Sequence, residues 1–393
     1  MASEAERLEV FRLAELAEVA DIVARVGDGL AGDWLRVSRF EEVQQLTARS
    51  LQVQTGPLTL LRAGQASEGT GDGGLALKYY EQALLLFRAL KDEAHEAAVL
   101  NNIGGVYLNR GDGELALTHY QQALALFRAL HDRSGEAATL NNIGGVHDKR
   151  GDVGTALQYY ERALPLRQTT NDRVGEASTS NNIGLVHAKR GNSEAALDWY
   201  EKALTLHRVA GDRAGEAIAL NNIGTVYENS GDAERAIVYY QQALTIHRAT
   251  GDRAGQATAL NNIGGVYADR NNLEVALTHY QQALTLHQST ENRTGEATAL
   301  NNIGLLNARL GALAAAMALY QQALNLCLAI GDKAAEAGAR YNIAMILRRR
   351  GDLSAAVSQL ELMVTLEEAV QHPNLEDDRD LLKQVRAEVD SST

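Results

Sequence analysis

The chain has 393 residues, 45% of them hydrophobic and 22% charged, with 35 glycines, three prolines and one cysteine. That length and apolar content can bury a large core, which excludes a disordered tail or a disulfide-stapled mini-domain, and the lone Cys327 can close no internal disulfide and build no thiolate zinc site. The formal charge of −13 works against DNA, RNA or anionic lipid as a partner, because those surfaces reward a net basic protein.

The N-terminal MASEAERLEVF carries acidic residues where a signal peptide would carry Lys or Arg. No uninterrupted apolar run approaches the ~18 residues of a membrane span, so a cytoplasmic protein without membrane contact is expected. Residues 4 to 26 read as one amphipathic helix with Leu8, Phe11, Val19, Ile22 and Val26 on one side, although Glu15 intrudes on that stripe. Leu30, Ala31, Trp34, Val43 and Ser50 fit a weak helical hairpin, which makes residues 1–56 an N-terminal cap. Leu60, Ala63, Gly64, Ala76, Tyr80 and Ala83 spell a shorter, degenerate hairpin over 57–91. Gly69, Gly71 and Gly74 inside it form GxGxxG, but no strand precedes them and Gly71-Asp72 aligns with a turn of the later units, so nucleotide binding is not expected.

From residue 92 to 371 the chain is periodic. NNIGGVY at 101 returns as NNIGGVH, NNIGLVH, NNIGTVY, NNIGGVY, NNIGLLN and YNIAMIL at 141, 181, 221, 261, 301 and 341, a spacing of 40 residues without insertion. Self-similarity at such a period means a solenoid whose units bury their apolar faces on their neighbours. In the unit from Asp212 to Thr250, Asp212 suits a helix N-cap, and Ala217, Leu220, Ile223, Gly224 and Tyr227 follow at helical spacing. Gly231-Asp232 ends this helix A and caps a helix B that turns Ala236, Ile237, Tyr240, Ala243, Leu244 and Ile246 inward. Each unit is therefore expected to be a helical hairpin closed by small residues. Pro165, late in helix B of the second unit, should kink or end that helix early, since it lacks an amide donor. After His372-Pro373, residues 372–393 should lay a capping helix over the last hairpin through Leu375, Leu382, Val385 and Val389.

With Leu220, Ile223, Gly224, Tyr227, Ala236, Tyr240 and Ala243 in this order and spacing, the unit resembles a tetratricopeptide repeat in a 40-residue form. TLNNIG is similar to the helix A phrase of kinesin light chain repeats, and GDRAGQATALNNIGGVY to repeats of Pins-type adaptors and bacterial signalling proteins. The resemblance implies an all-α, right-handed superhelical solenoid of antiparallel hairpins, without enzymatic activity or cofactor. It also implies that a second face of helix A lines a concave groove, where asparagines hold peptide ligands. On that face lie Asn102, Asn142, Asn182, Asn222, Asn262, Asn302 and Asn342, each able to donate and accept toward a peptide backbone. The neighbouring Asn101 series either joins them or braces adjacent helices.

Small floor residues such as Ala98, Thr258, Gly105 and Gly265 would admit a ligand backbone, with Leu185, Leu305 and Met345 as apolar pockets. Lys149, Lys189, Arg309 and Arg349 sit near the groove edge, where an acidic peptide or a free C-terminal carboxylate would complement them; as helix C-terminal cations they also oppose the dipole. The histidines His207, His247 and His287 recur in one slot of successive hairpins, too far apart for a shared metal ion. His147 and His187 take the tyrosine slot of helix A, where packing is the expected role. The expected function is thus a protein-interaction scaffold binding an extended peptide or partner helix. The rival reading is a sensor or self-associating arm of a signalling assembly resembling the repeat tails of STAND-type ATPases.

Overall fold

The computed structural model describes residues 3–17, 19–37, 39–370 and 374–392, which form twenty α-helices and no strand. Three helices lead: α1 (Glu4–Leu16), α2 (Ala20–Arg36) and α3 (Phe40–Val53). The hairpin α4 (Pro57–Gly69) and α5 (Gly73–Leu90) follows. The seven repeats then contribute α6 (Glu93–Asn109) and α7 (Gly113–Ala129), α8 (Arg133–Lys149) and α9 (Val153–Thr169), α10 (Arg173–Lys189) and α11 (Ser193–Ala210), α12 (Arg213–Asn229) and α13 (Ala233–Thr250), α14 (Arg253–Asp269) and α15 (Leu273–Ser289), α16 (Arg293–Arg309) and α17 (Leu313–Ile330), and α18 (Lys333–Arg349) and α19 (Leu353–Val370). The last helix is α20 (Leu375–Ser392). The chain packs as two compact units, residues 1–199 and 200–393.

Local chemistry sets the hairpins. Asp212 accepts from the Gly215 amide at 3.0 Å and starts α12; Gly231, with φ +81°, lets the chain turn, and Asp232 accepts from the Arg235 amide at 3.0 Å to start α13. Ala217, Leu220, Ile223, Ala236, Tyr240, Ala243 and Leu244 are all buried, as the helical spacing predicts. The small residue that closes each hairpin has a specific neighbour. A Cβ added to Gly224 would lie 2.7 Å from Tyr240 Cε1, and the same close approach joins Gly104 to Tyr120 at 2.6 Å and Gly264 to Tyr280 at 2.8 Å. In the seventh repeat both partners change together, to Ala344 and Leu360, and both are fully buried.

Two expectations require correction. The helix read over residues 4 to 26 is two helices, α1 and α2, separated around Val19. In one straight helix Phe11 and Val23 would stand about 18 Å apart along the axis. Folded back, both enter one core cluster with Leu30, Trp34, Val43 and Leu46, and Gly27 admits the Phe11 ring, whose Cε2 would lie 2.9 Å from an added Cβ. The early end at Pro165 does not occur, for α9 continues to Thr169. Pro165 lies on the exposed side, and the carbonyl it leaves without an amide belongs to the exposed Glu161, where water serves. Beyond the proline, Thr169 and Thr170 hydroxyls donate to the Leu166 carbonyl at 2.8 and 3.0 Å. Helix α17 is long and apolar enough by length and composition to cross a membrane, with mean hydropathy 1.5, but Gln321, Gln322 and Asn325 interrupt its apolar run, as the sequence reading holds. It packs between α16 and α18 and buries Ala316, Tyr320, Ala323, Leu324 and Cys327.

At the C-terminus α20 covers the last hairpin: Leu382 and Val385 are buried with Leu360, Met363 and Val364. His372-Pro373, expected to interrupt the repeat, lies outside the described residues.

Candidate functional site

In helix A of every repeat the core stripe leaves a second face on which Asn102, Asn142, Asn182, Asn222, Asn262, Asn302 and Asn342 are each half-buried. Of the residues one turn away on this face in the second unit, Ile218, Thr225, Thr258, Thr298 and Leu305 are exposed, while Gly265 and Met345 are half-buried.

The carboxamides tie neighbouring repeats together. In the first unit Asn142 donates through Nδ2 to Asn101 Oδ1 at 3.1 Å, and Asn182 to Asn141 Oδ1 at 3.1 Å. Thr139 and Thr179 add hydroxyl donors to the same oxygens at 3.1 and 3.2 Å. In the second unit Asn342 donates to Asn301 at 2.9 Å. Asn101, Asn141 and Asn301 are thereby braces between repeats.

Between the fourth and sixth repeats this ladder is open. Asn221 Oδ1 and Asn261 Oδ1 are buried without a hydrogen-bond partner, so Asn262 and Asn302 do not make the bonds of Asn142 and Asn342. Instead Asn261 Nδ2 lies 3.4 Å from His287 Nε2. Ala259 and Ala299 stand where Thr139 and Thr179 supply their hydroxyls. Here the second face of helix A borders a cavity of about 480 Å³ lined by Thr258, Asn262, Gly265, Thr298 and Asn302, with Glu228, Tyr280, Asn261 and His287 in its walls.

The walls are electrostatically unusual. Glu228 Oε2 accepts from the Tyr240 hydroxyl at 2.5 Å. Burial raises the Glu228 pKa above the ordinary carboxylate range, the Tyr240 hydroxyl opposes that rise, and the charge of Asp269 adds to it. Burial pushes the Tyr280 hydroxyl up to about 12. It also lowers the His287 pKa, against the pull of Glu296, so that the imidazole is held neutral. The face thus offers carboxamide, hydroxyl and carboxyl groups, the complement of peptide amides and of positive charge.

The expected groove-edge cations are engaged elsewhere. Lys189 Nζ bonds both oxygens of Asp148, at 2.7 and 2.8 Å. Arg309 donates to the Ala268 carbonyl at 2.9 Å and to Asn271 Oδ1 at 3.2 Å, and Arg349 reaches the Ala308 carbonyl at 3.5 Å. Each bonds the end of helix A in the preceding repeat, Lys189 through a carboxylate and the two arginines through backbone carbonyls, where the negative end of the dipole attracts a cation. Lys149 borders a separate cavity of about 660 Å³ beside Gly113 and Arg150.

The other motifs have packing roles. His147 stacks on Tyr159 with ring centroids 5.5 Å apart, as Tyr107 does on His119 and Tyr227 on Tyr239. His207 and His247 each place Nδ1 2.8 Å from the N-cap aspartate that follows, Asp212 and Asp252. Gly71 is the positive-φ residue of a helical turn. Sequence reasoning missed the Asn261–His287 pair and the acidic wall. The signal for the wall lay in the 40-residue columns: two repeats on from Asp148 stands Glu228, with Asp269 near it but outside the cavity lining.

The tetratricopeptide repeat profile matches residues 95–169, 175–249 and 255–329, more than half of the chain, and the chain belongs to the tetratricopeptide-repeat family. No curated protein matches it. Among solved structures, the apo quorum sensor NprR of B. thuringiensis aligns with TM-score 0.61 and 16% identity over 82% of this chain and 98% of its own. Aspartyl phosphate phosphatase F from Bacillus subtilis aligns with TM-score 0.59 and 12% identity over 87% and 93%. A STAND protein with a tetratricopeptide repeat sensor from Pyrococcus horikoshii aligns with TM-score 0.59 and 17% identity over 87% of this chain but 54% of that one. At these identities the likeness is one of fold, an all-α solenoid of helical hairpins.

Proposed function

We propose that the chain is a non-enzymatic interaction scaffold that binds an extended peptide along the groove face of its A helices. The observation that carries this reading is the open stretch of the ladder, where Asn262 and Asn302 border a cavity while Asn221 and Asn261 keep buried acceptors without partners. A buried acceptor left unpaired costs about 1–3 kcal/mol, which a bound main chain or the repacking it induces would recover. Each carboxamide bond contributes only about 0.5–1.5 kcal/mol net, so several repeats must act together. The acidic ligand expected from Lys149, Lys189, Arg309 and Arg349 loses support, because three of the four cations are already bound within the chain.

Fluorescence anisotropy with fluorescein-labelled, fully degenerate heptapeptides tests the reading. Asn262→Ala/Asn302→Ala should weaken binding about tenfold or more with helicity unchanged. Wild-type binding by that variant would overturn it.

A second reading, a sensor arm within a larger signalling assembly, draws on the alignment with the STAND protein's structure over 87% of this chain. Self-association with rising concentration in sedimentation, without peptide binding, would favour it.

A further inference from the structure

The ladder opens at Asn261 for a reason that lies on helix B. Asn342 closes on Asn301 at 2.9 Å although Ala339 stands in the threonine position, so Ala259 and Ala299 do not by themselves open the ladder. What does differ is the residue 26 positions after the bracing asparagine. It is Phe127 after Asn101, Arg167 after Asn141 and Cys327 after Asn301, and those three ladder bonds are made. Phenylalanine and arginine offer a carboxamide no acceptor, and cysteine only a weak one. After Asn261 the residue is His287, whose Nε2 lies 3.4 Å from Asn261 Nδ2. An amide nitrogen can only donate, so Nε2 accepts, as a neutral imidazole protonated at Nδ1 does. With its amide turned to His287, Asn261 leaves Oδ1 buried without a donor, and His287 Nδ1, packed beside Gly295, is also without a partner. Buried polar atoms left unsatisfied oppose folding, so this arrangement is not the one that stability favours. The slot itself is alike in both units: an added Cβ would lie 2.2 Å from Phe127 Cδ1 at Gly135 and 2.2 Å from His287 Nδ1 at Gly295.

Resting on the peptide-binding reading above, we propose that His287 is a positioning residue of that site. Its imidazole draws the Asn261 carboxamide out of the brace, so that Asn302 keeps its own carboxamide at the cavity for the main chain of the peptide. Asn261 has two alternatives, bonding helix B of its own repeat or bracing the next helix A, and the residue in the slot selects between them. The fifth repeat gives up the brace that Asn101, Asn141 and Asn301 keep. Binding and stability are therefore opposed at this one position.

The test measures stability and degenerate-heptapeptide binding on the full chain. His287→Phe, which copies Phe127, removes the acceptor and keeps a ring in the slot. It should let Asn302 close on Asn261, raising the thermal midpoint and slowing amide exchange in α14 and α16, while peptide binding weakens about tenfold. Adding Asn302→Ala should cancel that gain in stability, whereas a gain from the more apolar ring alone would survive it. His287→Gln, whose side-chain oxygen can still accept from Asn261, should keep binding within about twofold of wild type. The proposal is overturned if His287→Phe is no more stable than wild type, if it binds peptide as wild type does, or if the glutamine variant loses as much binding as the phenylalanine one. Failure of the peptide reading looks different: the wild-type chain would bind no heptapeptide, while the gain from His287→Phe and its loss with Asn302→Ala would still support the choice that Asn261 makes.

Discussion

Gly144 and Gly145 are adjacent in α8, yet their substitution by alanine should have opposite effects. A Cβ on Gly144 would meet Tyr160 Cε1 at 2.6 Å and Cδ1 at 2.8 Å, and Tyr160 is only 3% exposed. A Cβ on Gly145 would meet only the Tyr160 hydroxyl, at 3.9 Å. Both substitutions gain the same helix propensity, about 0.8–1 kcal/mol, so their difference isolates the steric cost. Overpacking a tight core costs about 1–3 kcal/mol. Gly145→Ala should therefore stabilise by about 1 kcal/mol, and Gly144→Ala should lie about 1–3 kcal/mol below it. The seventh repeat supplies the rescue: with Tyr160→Leu in the background, copying Leu360, Gly144→Ala should cost nothing further, as Ala344 does beside Leu360. Repeat arrays need not unfold in two states, so native-state hydrogen exchange of the α8 amides is the apt assay, with thermal midpoints as support. Equal protection in the two single variants would refute the reasoning, since the tyrosine slot would then have room that the distances deny.

Other predictions follow from the same contacts. Pro165→Ala restores an amide to a helix that already runs through this position, and should raise stability by about 1–3 kcal/mol in denaturant titration. Asn101→Ala removes the acceptor of both Asn142 and Thr139, and should cost about 1–3 kcal/mol, seen as faster exchange in α6 and α8. His119, His279 and His287 all have pKa values lowered chiefly by burial, with Arg88 and Arg248 adding to the effect at the first two and Glu296 opposing it at the third. Below about pH 6.5 the unfolded chain takes up protons that these folded sites resist. Their stabilising contribution is therefore complete above that pH and is lost on acidification toward pH 5. Thermal midpoints should fall over that range, and His279→Gln should flatten the fall.

The sequence by itself determined the hairpin, because its determinants are local. An aspartate cap, a positive-φ glycine and an apolar stripe at helical spacing act within one repeat, and the 40-residue period then copies the result, as Asp212, Gly231 and Asp232 illustrate. The second face of helix A was legible for the same reason: once the core stripe is known, the residues beside it follow from 3.6 residues per turn. What each residue of that face does was decided only in the tertiary structure, since the decisive partners lie 38 to 41 residues away in the next repeat. Asn142 finds Asn101, Lys189 finds Asp148, and Arg309 finds the end of α14. The N-terminal pair α1 and α2 had no copies to disclose its turn, and gathering Phe11 and Val23 into one core fixed it. The open ladder at Asn262 and Asn302 is likewise tertiary: their repeats carry the same NNIG phrase as their neighbours, and a side chain's choice between bracing a repeat and facing a cavity depends on what is packed beside it.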